Sequence, residues 1–490
     1  MNRQVSQLGV ASLVLLATLI VGTTYWQTWA NAGLAARQDN DIRLVAQFKI
    51  KRGKIYASDG RTLLATNVQR RVGGQTLYFR RYPSGPLFAA AVGYSTQSRN
   101  QTGLERSYND YLTGSNANLD TVFRSAVDKL RGTTVTGNDV VLTIRPGVQA
   151  LARRALQGKC GAVVALEPAT GRVLVMATSP TYNPNLIEKR FAEATRTSGR
   201  CRSPLLNRAT AGTYIPGSIF KIVTAAAALD TGRFTPDSPF YDPGYCIEYG
   251  QRVRNAGNPE APETFGSVNL TSGFQHSINS VFCNIGKTLG AGPILRYAER
   301  FGFYALPPLE TPENELVESG LYNRGRLFKP KRPAFQVDPG RLAFGQERLQ
   351  VTPLQMAMVA ATVANRGVEM RPRLVERVVS PGGKTITHLR PEQIGRPIKL
   401  QTADQLKHMM ELAVSGGTGT AAQIPGIRVA GKTGTAETGR ANVHTTWFVS
   451  FAPVEAPRVA IAVVVEDQPN GFGGTIAAPI AREVMEALLR

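Results

Sequence analysis

Ser218 stands three residues before Lys221, and behind them runs the alanine-rich stretch Ile222-Val-Thr-Ala-Ala-Ala-Ala-Leu229. Such a stretch is a strong helix former, and Pro216-Gly217 marks its entrance. In that frame the hydroxyl and the amine are i and i+3 in the first turn, on one face. They sit at a helix N-terminus, where backbone N–H groups favour developing negative charge. A serine hydroxyl is a poor nucleophile until a base takes its proton, and a lysine serves if it is neutral. Burial, or a second cation nearby, lowers a lysine pKa and supplies that neutral form. Ser-x-x-Lys alone often arises by chance, and a solvated serine at a helix start is then the better reading of it.

Two further patterns follow in the chain. Ser277-Ile278-Asn279 lies within Gly273-Phe-Gln-His-Ser-Ile-Asn-Ser-Val-Phe-Cys-Asn284, and its neighbouring hydroxyl and amide can relay a proton and bind a substrate amide. Its bland reading is an N-cap or a turn. The third pattern is Val429-Ala-Gly-Lys-Thr-Gly-Thr-Ala-Glu437. Ile427 to Ala430 reads as a strand, Lys432 adds a cation, Thr433 and Thr435 add hydroxyls, and Gly434 would let a substrate backbone approach closely.

Several elements must position these groups. Asp139 to Ile144 reads as a strand, and Pro146 to Leu156 as a helix with proline near its start. Gly161 to Glu167 and Arg172 to Ala177, separated by Pro168-Ala-Thr-Gly171, read as a hairpin of two largely buried strands. Thr446 to Phe451 and Arg458 to Val465 form a second strand pair, and a helix from Ala478 to Leu489 closes the chain. Strands at both ends with helix-rich sequence between them predict one α+β domain whose sheet joins early and late segments. Ahead of it, residues 40–140 read as short strands and turns with no catalytic pattern, a spacer or docking module.

The 490 residues carry 57 Lys and Arg against 35 Asp and Glu, a net charge of +22. At ~100–200 residues per domain, two or three domains fit. The cations are spread along the chain without an arginine-rich block or aromatic–basic repeat, so nucleic-acid binding is not expected. His276, His388, His408 and His444 are scattered, and no C-x-x-C spacing occurs, so no metal and no cofactor is expected. Every residue from Gln4 to Ala36 is uncharged. The apolar heart from Leu8 to Val21, with Tyr25, Trp26 and Trp29 at its far end, predicts a membrane span over residues 7–29 across a core of ~30 Å. Arg3 and the amino terminus place residues 1–6 in the cytoplasm and the rest outside. The rival is a signal peptide cleaved at Ala30-Asn-Ala32, but the apolar stretch is long for its h-region. In either case the bulk is exported, so Cys160, Cys201, Cys246 and Cys283 are disulfide candidates with three connectivities open.

Taken together, Ser-x-x-Lys, Ser-x-Asn and Lys-Thr-Gly, spaced by about 60 and 150 residues, resemble the signature of the penicillin-recognising serine enzymes. Arg52-Gly-Lys-Ile-Tyr-Ala-Ser-Asp-Gly60 and Gly103-Leu-Glu105 resemble the N-terminal module motifs of class B, monofunctional penicillin-binding proteins. Phe344-Gly-Gln346 with Thr352-Pro-Leu-Gln355 resembles the stretch before their third motif, and Ala165 to Gly171 looks closest to the actinobacterial PbpA type. Arg145 departs from the Asp that many relatives carry there.

The resemblance implies a serine β-lactamase/D,D-peptidase-like transpeptidase domain (141–490), an N-terminal mixed α/β pedestal or dimerisation-like module (40–140) and a single transmembrane helix. It implies a D,D-transpeptidase that cross-links peptidoglycan stem peptides and is acylated by β-lactams, working at the plasma membrane with a polytopic glycosyltransferase as partner. By the same resemblance Ser218 is the nucleophile, Lys221 its base, Ser277 the proton relay and Asn279 the amide binder. Lys432, Thr433, Gly434 and Thr435 would serve the substrate carboxylate, and the N–H groups of Ser218 and Thr435 the oxyanion. A D,D-carboxypeptidase or β-lactamase using water is the alternative, as is a non-catalytic homologue; Glu167, the base a β-lactamase would need, sits on a strand before a turn and ahead of Ser218, and reads as structural. His444 and Trp447 could line the cleft or simply pack. Tyr214 could flank the nucleophile or staple the helix entrance, and Pro236 to Pro262 could rim an acceptor site or be a structural loop.

Overall fold

A computed structural model describes residues 2–25, 48–97, 100–116, 118–197, 201–255, 257–258 and 261–490. In chain order its main elements begin with α1 (Asn2–Tyr25), β1 (Ile55–Tyr56), β2 (Leu63–Val72), β3 (Gln75–Arg81), α2 (Leu119–Leu130), β4 (Asp139–Leu142), α3 (Pro146–Ala155), β5 (Gly161–Leu166) and β6 (Val173–Ser179). They continue with α4 (Lys221–Asp230), α5 (Asn279–Leu289), α6 (Pro353–Ala364), β7 (Val375–Val379), β8 (Thr385–His388), α7 (Leu400–Ser415), β9 (Ala430–Glu437), β10 (Val443–Ala452), β11 (Val459–Pro469) and α8 (Gly473–Leu489).

The sheet that matters for chemistry runs β9-β10-β11-β5-β6, antiparallel throughout. It joins residues 161–179 to residues 430–469, as the strand-rich ends of the sequence predict. Both faces are covered, and the side chains divide with period two. Ala162, Val164 and Leu166 join one core with α4, α6 and most of α7, whereas Val163 and Ala165 join a second core with α3 and α8. That two-sided burial is why β5 and β6 read as continuous apolar runs instead of alternating ones. Helix α4 lies within the larger core with all ten residues buried. Helix α6 starts on Thr352, whose hydroxyl caps Gln355 N, with Pro353 in the first turn.

A second sheet, β8-β7-β4-β1-β2-β3, gathers the N-terminal residues. Its β7 and β8 come from residues 375–388, so strand pairing crosses the position where the sequence reading divides the chain. Two details differ from that reading. The strand expected at Ile427 to Ala430 starts at Ala430 and runs to Glu437, because the Lys-Thr-Gly segment itself pairs with β10. The closing helix begins at Gly473, five residues early, with Pro479 inside it. Of the three cysteine connectivities, the one formed is Cys160–Cys201 with Cys246–Cys283.

Helix α1 places Val10, Leu13, Leu15, Leu19 and Val21 in the open, each more than half exposed. Among the described residues no helix is long and apolar enough to cross a membrane. The span expected over residues 7–29 is thus not shown; Trp26, Trp29 and Ala30-Asn-Ala32 lie outside the described residues.

Candidate active site

The nucleophile candidate sits in a tight turn. Gly217–Phe220 is a 3-10 turn leading into α4 at Lys221, where the sequence predicts plain α-helix. Distant segments hold it in that form: Gly217 N donates to Gly345 O at 3.1 Å. A Cβ on Gly345, whose φ is +79°, would meet Gly217 O at 2.2 Å. This is the physical content of the Phe344-Gly-Gln346 motif. On the other side Trp447 is fully buried and its Nε1 donates to Ile215 O at 3.0 Å. Tyr214 packs edge-on against the Trp447 ring and donates its hydroxyl to Glu466 at 2.7 Å. Both aromatic residues thus brace the turn and do not line the cleft. His444 likewise lies outside it, its Nδ1 3.0 Å from Gly471 O.

Ser218, Ser277, Asn279, Thr433 and Thr435 line one cavity of about 580 Å³, together with Phe344, Gln346 and Thr418. Lys221 and Lys432 are buried beneath it, 0% and 1% exposed. Gly434 is not in the cavity wall. A Cβ there would meet Pro216 O and Ile219 at 2.9 Å, so the close approach it allows is that of the nucleophile turn and not of a substrate. Ser277 takes the left-handed conformation, φ +59°, between helix Leu270–Gln275 and α5, which turns its hydroxyl and its carbonyl toward Lys221.

Lys221 Nζ donates to Ser277 O at 2.6 Å and Asn279 Oδ1 at 2.8 Å, and stands 3.3 Å from Ser277 Oγ. None of these bonds reaches Ser218 Oγ. Burial, and then the charge of Lys432, hold the Lys221 amine well below the usual lysine range. Burial alone brings Lys432 down to about 7. Its Nζ lies 5.7 Å from the Phe274 ring and 3.2 Å from Thr433 O. Two amines of lowered pKa, under two serine hydroxyls, are suited to accepting and passing a proton at neutral pH.

Sequence reasoning missed the brace behind Ser277 and Asn279. Asp242, buried in the Pro236–Pro262 segment, accepts hydrogen bonds from Gly244 N, Phe265 N, Asn255 Nδ2 and Ser280 Oγ. Asn255 in turn accepts from Ser280 N at 3.1 Å, and Asn279 Nδ2 donates to Arg254 O at 3.0 Å. The Cys246–Cys283 disulfide ties the same segment to α5. No local pattern marks Asp242 as a brace, because apart from the neighbouring Gly244 its partners lie 13, 23 and 38 residues away in the chain. Thr418, whose hydroxyl meets that of Thr433 at 2.6 Å, escaped for the same reason. Cys246, Glu248 and Cys283 cluster closely, but both sulfurs are spent in the disulfide and offer no metal ligand. Glu167 sits in the β5–β6 turn, bonded to Thr170 and facing Arg172, and is not among the residues lining the cavity.

Residues 161–486 match the penicillin binding protein transpeptidase domain, and residues 52–140 the penicillin binding protein A dimerisation domain. The peptidoglycan D,D-transpeptidase PbpA of Mycolicibacterium smegmatis is 35% identical, the alignment covering 100% of this chain and 99% of that relative. The peptidoglycan D,D-transpeptidase PbpA of Mycobacterium tuberculosis is also 35% identical with the same coverage. The structure of penicillin-binding protein A from M. tuberculosis as a ceftriaxone acyl-enzyme complex superposes with a TM-score of 0.81 at 34% identity, over 91% of this chain and 100% of that one.

Proposed function

The chain belongs to the class B penicillin-binding proteins of the PbpA type, a peptidoglycan D,D-transpeptidase acylated by β-lactams, and we propose that Ser218 is the nucleophile of that reaction. The observation that carries the proposal is the buried Lys221, set between Ser277 and Asn279 below the cavity that Ser218 lines. A neutral amine has two N–H bonds and one lone pair. Ser277 O and Asn279 Oδ1 take the two hydrogens, which leaves the lone pair for a hydroxyl proton.

Ser218 Oγ attacks the penultimate D-Ala carbonyl of a stem peptide as Lys221 accepts its proton. The oxyanion rests on the N–H groups of Ser218 and Thr435; one such donor is worth ~3 kcal/mol. Collapse breaks the amide bond, and the proton travels from Lys221 through Ser277 to the departing D-Ala amine. The acyl-enzyme is then attacked by an amine of a neighbouring stem, with the same groups in reverse. Asn279 orients the substrate amide, for which it must exchange its resting bond to Arg254 O. Lys432 supplies positive charge near the substrate carboxylate, to which Thr433 and Thr435 donate. A β-lactam follows the first half of the path and stops at the acyl-enzyme.

The exported setting is part of this proposal: residues 1–6 inside, residues 7–29 as a single-pass anchor, a module over 40–140 and the transpeptidase domain over 141–490. Two disulfides fit an oxidising compartment, and α1 provides a 24-residue helix with open apolar side chains. A polytopic glycosyltransferase is the partner that would supply polymer to cross-link.

The test is acylation of the purified full chain by a fluorescent penicillin, followed by intact mass over time beside Ser218→Ala. A lasting adduct of one equivalent on the parent chain and none on the variant is expected. Rapid turnover without an adduct would replace this reading with a β-lactamase.

A further inference from the structure

Helix α2 in the N-terminal module is packed with its polar side inward. Thr121 and Ser125 are buried, Asn138 Nδ2 donates to Thr121 Oγ1, and Arg124 donates to Asn138 Oδ1. On the opposite side Leu119 is 84% exposed, Phe123 74% and Leu130 88%, with Val122 half exposed beside them. Positions 119, 122, 123 and 130 follow the i, i+3, i+4, i+11 spacing of a single helical stripe. A stripe of this kind facing outward marks an interface with protein or lipid.

The local charge identifies the occupant. Phe48, the first described residue after α1, stacks on Phe79 of β3. Lys51 N donates to Val135 O and Gly137 N donates to Lys51 O, both at 2.9 Å, so an isolated bridge joins Lys51 to the segment that leaves α2. Tyr78 of β3 meets Thr134 of that segment. Around this entry point Lys49, Lys51, Arg70, Arg71, Arg81 and Arg131 are exposed. The acid next to the stripe, Asp120, is occupied by Lys384 at 2.6 Å.

We propose that the apolar stripe of α2 and the surrounding cations rest on the anionic headgroups of the outer membrane surface to which α1 anchors the chain. A second copy meeting this face about a two-fold axis would set like charges against each other. Anionic lipid neutralises them while the headgroup boundary takes up Phe123 and Leu130. The proposal rests on the single-pass anchor reading. It would fix the height and tilt of the catalytic cleft above the membrane.

The full chain, carrying Trp26→Phe and Trp29→Phe, is reconstituted with vesicles of phosphatidylcholine alone or mixed with phosphatidylglycerol. Phe123→Trp is then read by quenching with brominated lipid, with the exposed Phe335→Trp as control. After subtraction of the emission of buried Trp447, which both variants share, the expected result is an F123W signal shifted to the blue and at least halved by brominated lipid in the anionic vesicles, less so at high salt, with F335W unaffected. A chain that floats with vesicles while F123W behaves like F335W keeps the anchor and overturns the proposal. A chain that floats with neither vesicle type overturns both. Equal quenching in neutral vesicles overturns the role of the cations. Phe123→Glu with Leu130→Glu should abolish the lipid contact of the module and leave fluorescent-penicillin acylation unchanged. If those changes instead dissolve a concentration-dependent dimer, the face belongs to a second copy and the proposal fails.

Discussion

Two regions of this molecule each bury a pair of cations, and they treat them in opposite ways. In the N-terminal module Arg52 and Arg80 share the carboxylate of Glu105, at 3.0 and 2.7 Å, with all three side chains at most 5% exposed. Asn109 and Tyr82 complete the network. In the cleft Lys221 and Lys432 are buried as deeply, yet among the described residues no carboxylate pairs with either. A guanidinium cannot shed its proton, so burying it demands a counter-charge; an ammonium can, so burying it unpaired makes a base. The module spends its buried charge on fixing the Arg52-Gly53 and Gly103-Leu-Glu105 segments against each other. The cleft uses the same physics to keep an amine neutral.

Exchanging the partners tests this contrast. The largest effect is expected from Lys221→Met. Removing the base should lower acylation by fluorescent penicillin about 10²–10⁴-fold. Thermal unfolding should change far less than acylation, since the relief of removing a buried amine without a counter-charge is offset by the acceptors Ser277 O and Asn279 Oδ1 that lose their donor. Glu105→Gln should do the reverse. It strands two guanidinium groups without a counter-charge, at a cost of about 3–5 kcal/mol of stability. Denaturant unfolding reads that loss, while the acylation rate of molecules still folded stays at the parent value. A stable Glu105→Gln protein would mean that Asn109, Tyr82 and the backbone suffice for the two arginines.

What the sequence made legible follows the same division between local and distant causes. The helix at Lys221 was readable from Pro216-Gly217 and the alanine run, and the strands β5, β6, β10 and β11 from their apolar runs. The 3-10 form of the nucleophile turn was not, because Gly345 and β9 impose it from more than a hundred residues away. Strand β9 was misplaced because Lys-Thr-Gly-Thr carries no apolar alternation; its burial comes from the nucleophile turn and α8 packing over it. The motif residues could be named from their spacing through family resemblance. Their brace could not: the bonds of Asp242 to residues 244, 255, 265 and 280 exist only after folding.

A smaller effect, and a sharper one, is expected from Lys432→Met. In the parent chain acylation should rise with pH as Lys221 loses its proton, then fall above about 7 as Lys432 loses its charge. Removing the neighbouring cation raises the Lys221 pKa, so the rising limb moves to higher pH and the falling limb disappears. The rate at pH 7 should drop about 10–100-fold, one to two steps of 1.36 kcal/mol in barrier. Stability carries a matching sign. Both lysines bind fewer protons folded than unfolded between their lowered pKa values and the ordinary lysine range, so their contribution rises with pH there. In Lys432→Met the part due to residue 432 is lost and the curve flattens.

The smallest effect expected is at Asp242, where the question is whether the brace holds Asn279 or only the fold. Asp242→Asn replaces one carboxylate oxygen by an NH₂ group that faces donors, leaving N–H or O–H groups from Gly244, Phe265 or Ser280 unpaired. Stability should fall by about 1–3 kcal/mol. If the brace positions Asn279 and Ser277, acylation of the folded fraction should also fall, about tenfold. A loss of stability alone would show that Lys221, through its bonds to Ser277 O and Asn279 Oδ1, holds that segment from the cleft side without help. The Lys221→Met variant would then be expected to lose the segment's order as well as its base, and hydrogen exchange at residues 277–280 would separate the two.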